Sequence, residues 1–219
     1  MNATWKFRLL AFAMFIFVGG ISTANLTAEL LRPAHASWPS GSAASLDDVS
    51  SAGRAPAIVL FRSDLMADHA VALASQIAAS RQAGQGDQEN AARETARRAL
   101  GIGPHDSRLW LVLALLEARR NPADPRVAEA LKMSYLTGPS RIELIPARLQ
   151  SATSNNVLSD SDLSELARGD VRAILTELPD QRSSLVNDYA RASETGRAFL
   201  RESVNMLDPK FIDALQGKK

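Results

Sequence analysis

The chain has no cysteine and only three histidines, His35, His69 and His105, and aromatic residues fill 5 % of its 219 positions. Without cysteine there can be no disulfide, no thiolate metal site and no thiol nucleophile. Three scattered histidines leave little material for a metal cage or an acid–base centre. No catalytic residue, metal ligand or cofactor is therefore expected. A charge excess of one sign is lacking too, with 25 Lys+Arg against 24 Asp+Glu and a net charge of +1. That balance carries no electrostatic footprint for nucleic acid, which is not expected as a partner. Apolar residues at 46 % and charged residues at 22 % are ordinary for a globular protein. The length suits one domain, or one domain with an appendage.

Long apolar runs are equally scarce, with one exception. Lys6 and Arg8 precede the run LLAFAMFIFVGGI from Leu9 to Ile21, and no acidic residue comes before Glu29. A basic flank followed by an apolar stretch is the pattern of a secretory signal. Ser22-Thr23-Ala24 then supplies small residues for cleavage after Ala24. The alternative is retention. Admitting Ser22, Thr23 and Asn25 extends the apolar stretch over residues 9–26, close to the roughly 20 residues that a bilayer requires. Residues 1–31 are thus expected to be a signal peptide or a signal-anchor helix. Both outcomes keep the basic flank in the cytoplasm and export the remainder. The anchored chain would hold its body on the periplasmic side of the inner membrane, in contact with lipid through residues 9–26. The cleaved chain would be secreted and soluble. An exported body without cysteine must rest on its packed core alone.

From Pro33 to Pro56 the chain reads PAHASWPSGSAASLDDVSSAGRAP. Ser, Ala, Gly and Pro dominate and no apolar period appears, so residues 32–56 are expected to form a flexible linker. Its length suits a body standing off from a membrane segment.

Residues 57–219 carry helical patterning almost throughout. The run Ala57-Ile58-Val59-Leu60-Phe61 is strand-like but has no partner strand. Helices are expected over about 64–81 and 88–100, the second ending at Gly101 and Gly103. A third starts at Asp106, a natural N-cap, and a fourth at Asp124 with Pro125 in its first position. Ser140 and Glu143 have capping-box spacing, and Pro146 should delay or kink the helix that follows. Ser159 to Arg168 reads as a short helix stopped by Gly169, with Asp170 capping the next. A long helix is expected over about 181–207, and Asp208-Pro209 ends it.

Gly103-Pro104 and Gly138-Pro139 recur 35 positions apart, each between helices. Ala92, Ala96 and Ala99 share one helix face before Pro104. Trp110, Leu113 and Ala114 open the helix after it. In these residues the chain resembles the tetratricopeptide repeat family, over about residues 64–152. The resemblance implies an all-α fold of tetratricopeptide-like antiparallel helix pairs, about seven or eight helices, beside the N-terminal membrane helix. It departs from the family pattern where Ala114 replaces a glycine and Glu117 stands at the usual tyrosine. Such repeats resemble scaffolds of bacterial cell-envelope assembly, exopolysaccharide export systems included.

Local motifs offer little chemistry. His105-Asp106-Ser107 are adjacent and cannot converge as a triad, and Asp106 is explained as a cap. Asp160, Asp162 and Glu165 read as the solvated start of a helix. Gly84–Gly86 and Gly101–Gly103 lack the lysine and the preceding strand of a phosphate loop. Arg93, Arg97 and Arg98 form a basic face, with Arg119, Arg120 and Arg126 on later elements. The expected function is a non-catalytic, membrane-anchored exported scaffold or adaptor. A protein partner would meet it at Arg93, Arg97, Arg98, Trp110, Glu117 and Arg120. The alternative is an exported binding module for an anionic polymer such as a polysaccharide, using the arginine face. An enzyme assembled from distant helices and a self-assembling spacer are further rivals.

Overall fold

The computed structural model describes residues 3–30, 70–71 and 86–217. The expected linker and the strand-like run at 57–61 lie outside the described residues. So does the expected helix at 64–81, apart from helical, buried Ala70 and Val71. Among the described residues all regular structure is helical. The helices are α1 (Ala3–Leu30), α2 (Gly86–Ile102), α3 (Ser107–Arg120), α4 (Pro125–Thr137) and α5 (Ile145–Ser154). They continue as α6 (Ser161–Thr176), α7 (Arg182–Arg191), α8 (Glu194–Leu207) and the single turn α9 (Ile212–Leu215). Short 3-10 turns at Ile142–Leu144, Pro179–Gln181 and Pro209–Phe211 lead into α5, α7 and α9.

Local chemistry starts three of these helices where the sequence marks them. Asp106 and Asp124 each accept from the backbone N–H two residues on, at 2.9 and 3.0 Å. Asp160 accepts from Leu163 N at 3.0 Å. Each bond satisfies a donor that the first helical turn leaves orphaned. Pro125 and Pro146 sit in the first turns of α4 and α5, where the missing N–H costs nothing.

Among the described residues two apolar clusters form the core. Ala92, Ala96, Ala99 and Leu100 of α2 meet Leu109, Val112 and Leu116 of α3, together with Ala70 and Val71. The second cluster runs from Leu111 of α3 to Leu215 of α9. Trp110 and Leu113 pack against both. The small alanine face lets α2 lie close to α3, and the Trp110 ring fills the space between clusters. Each helix from α2 onward touches the next, and α3 to α7 also touch the helix two further on.

Several expectations are corrected. Gly169 does not stop a helix and Asp170 does not cap one, for α6 runs unbroken from Ser161 to Thr176. A mid-helix glycine costs about 1 kcal/mol relative to alanine. Fully buried Leu163, Ala167, Val171 and Ile174 form one stripe across it. Burying each of the larger side chains contributes about 1.5–3 kcal/mol, which outweighs that cost. The long helix over 181–207 is instead two helices, broken at Ala192-Ser193. Ser193 is extended, and its Oγ accepts from Gly196 N at 3.1 Å. The same hydroxyl donates to Thr153 O at 2.9 Å, and Ser193 N donates there at 3.0 Å. Ser193 therefore caps α8 and also satisfies a carbonyl that the last turn of α5 leaves open. The Ser140/Glu143 capping box is not formed. Arg141 precedes the 3-10 turn without a side-chain cap, and Glu143 pairs with Arg141 at 3.1 Å.

The N-terminal segment is one helix of 28 residues. Among the described residues no helix is long and apolar enough to cross a membrane. The uninterrupted apolar run ends at Ile21, before Ser22, Thr23 and Asn25. A span over residues 9–26 is thus not confirmed.

Candidate functional site

The expected contact residues lie on α2 and α3, and the structure divides them. Arg93 is only 6 % exposed. Its guanidinium donates to Leu116 O across the α2–α3 seam at 3.3 Å and to the Asn90 side chain. It packs the seam and does not belong to a solvated face. Arg97 is half-exposed and donates to Glu117 Oε1 at 2.7 Å and to Glu94 at 3.3 Å. Glu117, 2 % exposed, also faces Arg126 of α4 at 3.9 Å. One buried carboxylate on α3 thus attracts guanidinium groups from α2 and α4. A carboxylate so buried needs such partners, because an unpaired charge there would be expensive.

Arg98 and Arg120 face solvent. Arg98 donates to Glu94 O at 3.3 Å. Arg120 lies close enough to Asp124 to help hold its carboxyl low. The main cause there is Arg126, whose side chain and backbone both donate to Asp124 and keep it at about 2. Arg119 pairs with Glu89 at 3.0 Å. The arginines on this side of the molecule are therefore largely answered by carboxylates. Trp110 sits two turns before Glu117 on α3, half-buried, its indole N–H donating to Pro104 O at 2.7 Å. That bond ties the start of α3 to the turn before it.

The sequence reading missed a buried charged centre between α4, α5 and α6. Arg148 of α5 is fully buried. Its Nε donates to Ser134 Oγ at 3.0 Å, and its Nη2 donates to Ser134 O and to Gly138 O, the latter at 2.9 Å. The guanidinium caps the C-terminal carbonyls of α4, where the helix dipole favours a cation. Ser134 Oγ in turn donates to Ser107 O at 2.8 Å and brings in α3. A methyl on Gly138 would sit 2.4 Å from Ser107 Oγ, so the close approach of α3 to the end of α4 needs glycine. Arg148 lies over the Tyr135 ring, 4.9 Å from its centroid. The buried Asp170 carboxyl of α6 couples electrostatically to both. Burial pushes Asp170 up to about 7, against the downward pull of Tyr135 and Arg148. One signal pointed here: position 148 shares the apolar stripe of Leu144, Ile145, Leu149 and Ala152.

Asp188 of α7 is a second buried carboxyl. Burial pushes it up to about 7, and Arg191 offsets this in part. An acid with a raised folded value holds its proton more firmly in the folded state. Its stabilising effect is complete below the unfolded value, near pH 4, and is lost as pH rises through 7. Urea midpoints measured from pH 5 to pH 8 should therefore fall with pH. Asp188→Asn should flatten part of that fall, leaving the share due to Asp170.

Among the described residues no cluster of acids and histidines could hold a metal ion. A depression of about 400 Å³ between α8 and α9 is lined by Ala198, Arg201, Glu202, Asn205, Ile212 and Gln216. It lies open to solvent, so its charged groups keep the dielectric of water. Comparison with known proteins finds no matching family, no similar curated protein and no similar solved structure.

Proposed function

We propose that this chain is a non-catalytic adaptor, held at a membrane by its N-terminal segment and offering the outer surface of α2–α4 to a protein partner. The observation that carries the reading is the neighbour pattern of the helices. Contacts run mainly to the next helix and the one after it, as stacked helix pairs produce, with the α5–α8 contact as the exception. The pattern favours a tetratricopeptide-like stack, as do the alanine face of α2 and the bridging Trp110. Such stacks expose a broad helical surface.

The membrane part rests on α1. Leu9, Leu10, Phe12, Met14, Phe15, Ile16, Phe17 and Val18 are all exposed. At 100° per residue these positions point in every direction around the helix. A helix apolar on all sides suits an environment apolar on all sides, rather than the flat surface of a bilayer. The body would then lie outside the membrane, in the envelope, where assembly of surface polymers is one setting for such an adaptor.

A protein partner is preferred to an anionic polymer because Arg97, Arg119 and Arg126 already have carboxylates beside them. Arg98 and Arg120 are the solvent-facing pair with the least structural work. Reversing both charges, Arg98→Glu with Arg120→Glu, should reduce co-purification of the partner from detergent-solubilised membranes at least about tenfold, the effect of a loss of 1.4 kcal/mol. The thermal midpoint should fall only slightly, through the loss of Arg120 beside the Asp124 cap. Equal recovery by wild type and variant would remove this surface from the proposal.

A further inference from the structure

Helix α3 is buried on two opposite sides. Leu109, Val112 and Leu116 follow one another at steps of three and four, and they belong to the cluster shared with α2. Leu111 and Ala114 belong to the other cluster. At 3.6 residues per turn the two sets point about 180° apart around the helix axis. On the side of Leu111 and Ala114, α3 shares its cluster with two helices that it touches, α4 and α5. On the side of Leu109 it meets α2, which brings three alanines and one leucine to the seam. Leu109, Val112 and Leu116 are nonetheless at most 1 % exposed. The small side chains of α2 leave room there for a second neighbour. Ala70 and Val71 take that place. Both are helical, they are 0 % and 2 % exposed, and they are members of the same cluster.

We infer that this side of α3 is a docking surface for the chain's own segment around Ala70 and Val71, and that the contact fastens the helical body to the N-terminal part of the chain. The occupant is a segment of this chain rather than a foreign partner, because two of its residues sit in the cluster. The chemistry of the two surfaces agrees. Leu109, Val112 and Leu116 offer only apolar contact, and Ala70 and Val71 bring apolar side chains small enough to lie between helices. The docking bears on the proposed partner. This side of the α2–α3 pair is closed to it, so contact is made on the solvent-facing surface that carries Arg98 and Arg120. The docking depends neither on that partner nor on a membrane, so each reading can fail without the other.

A chain without cysteine makes a thiol test clean. Val71→Cys introduces one thiol of similar bulk into the full chain. Gly101→Cys supplies an exposed reference, since a side chain there meets nothing within 4 Å. In the native protein the thiol from Val71→Cys should react with a maleimide on the order of a hundredfold more slowly than the reference, and in urea the two should react alike. The protection should not change with protein concentration. Val112→Ala should speed the reaction about tenfold, while Val171→Ala in the other cluster should leave it unchanged. Labelling at the reference rate would overturn the docking. Protection that is lost on dilution would overturn it in favour of a segment from a second copy. Equal rates in the Val112→Ala and Val171→Ala backgrounds would overturn the assignment to α3. Should Val71→Cys lower the helical circular dichroism, Ala70→Cys carries the same test.

Discussion

Replacing Arg148 with alanine should lower the stability of the helical body by about 3–5 kcal/mol, the range for breaking a buried charged network by removing one member. Three effects act together. The C-terminal carbonyls of α4 lose their cap at Ser134 and Gly138. The Tyr135 ring loses the cation over its face. Asp170 loses its buried countercharge and is driven further towards its protonated form. Arg148→Lys keeps the charge but not the planar fork, so it can reach one of the three acceptors at a time. It should recover less than half of the loss. Urea denaturation followed by helical circular dichroism measures both. A loss below about 1 kcal/mol for alanine would mean that the guanidinium contributes no more than an average hydrogen bond.

Gly196→Ala should be comparably damaging, although alanine is the better helix former by about 1 kcal/mol. A methyl at position 196 would lie 2.0 Å from Thr153 O, 2.8 Å from Thr153 C and 2.9 Å from Thr153 Cα. These are backbone atoms, and they cannot swing aside as a long side chain can. Thr153 O is also the atom that receives both Ser193 N and Ser193 Oγ. Moving it breaks the joint between the end of α5 and the start of α8. Overpacking of this kind costs about 1–3 kcal/mol, and the lost hydrogen bonds add to it. The variant should therefore lose at least about 3 kcal/mol in the same denaturation experiment. Gly169→Ala is the internal control, since a methyl there meets nothing within 4 Å. It should be neutral or slightly stabilising.

These contrasting glycines show which features were legible in the sequence. Gly169 and Gly196 look alike in a linear reading, and both sit inside helical patterns. Only the neighbouring α5 distinguishes them. Caps were readable because the causes are local. Asp106 and Asp124 bond to backbone donors two residues away, and no distant contact competes. The alanine face of α2 was readable because its period places three small residues together. The break at Ser193 was missed because its extended backbone is held by Thr153, 40 residues earlier. The arginine face failed at Arg93 for a similar reason. A run of arginines looks solvated until the seam with α3 closes over one of them. Glu117 looked like a departure from a repeat pattern, and the structure makes it the shared partner of Arg97 and Arg126. Arg148 and Asp170 lie far apart in sequence, so neither could be recognised as the other's countercharge.

Alkaline carbonate extraction of membranes that carry the full-length chain, beside a chain lacking residues 1–31, bears most directly on an adaptor held at the membrane. The full-length protein should remain in the membrane pellet with Met1 intact, while the shortened chain appears entirely in the soluble fraction. Release of the full-length protein into the supernatant, or a mature chain that begins at Asn25, would contradict anchoring and leave a soluble exported helical protein instead.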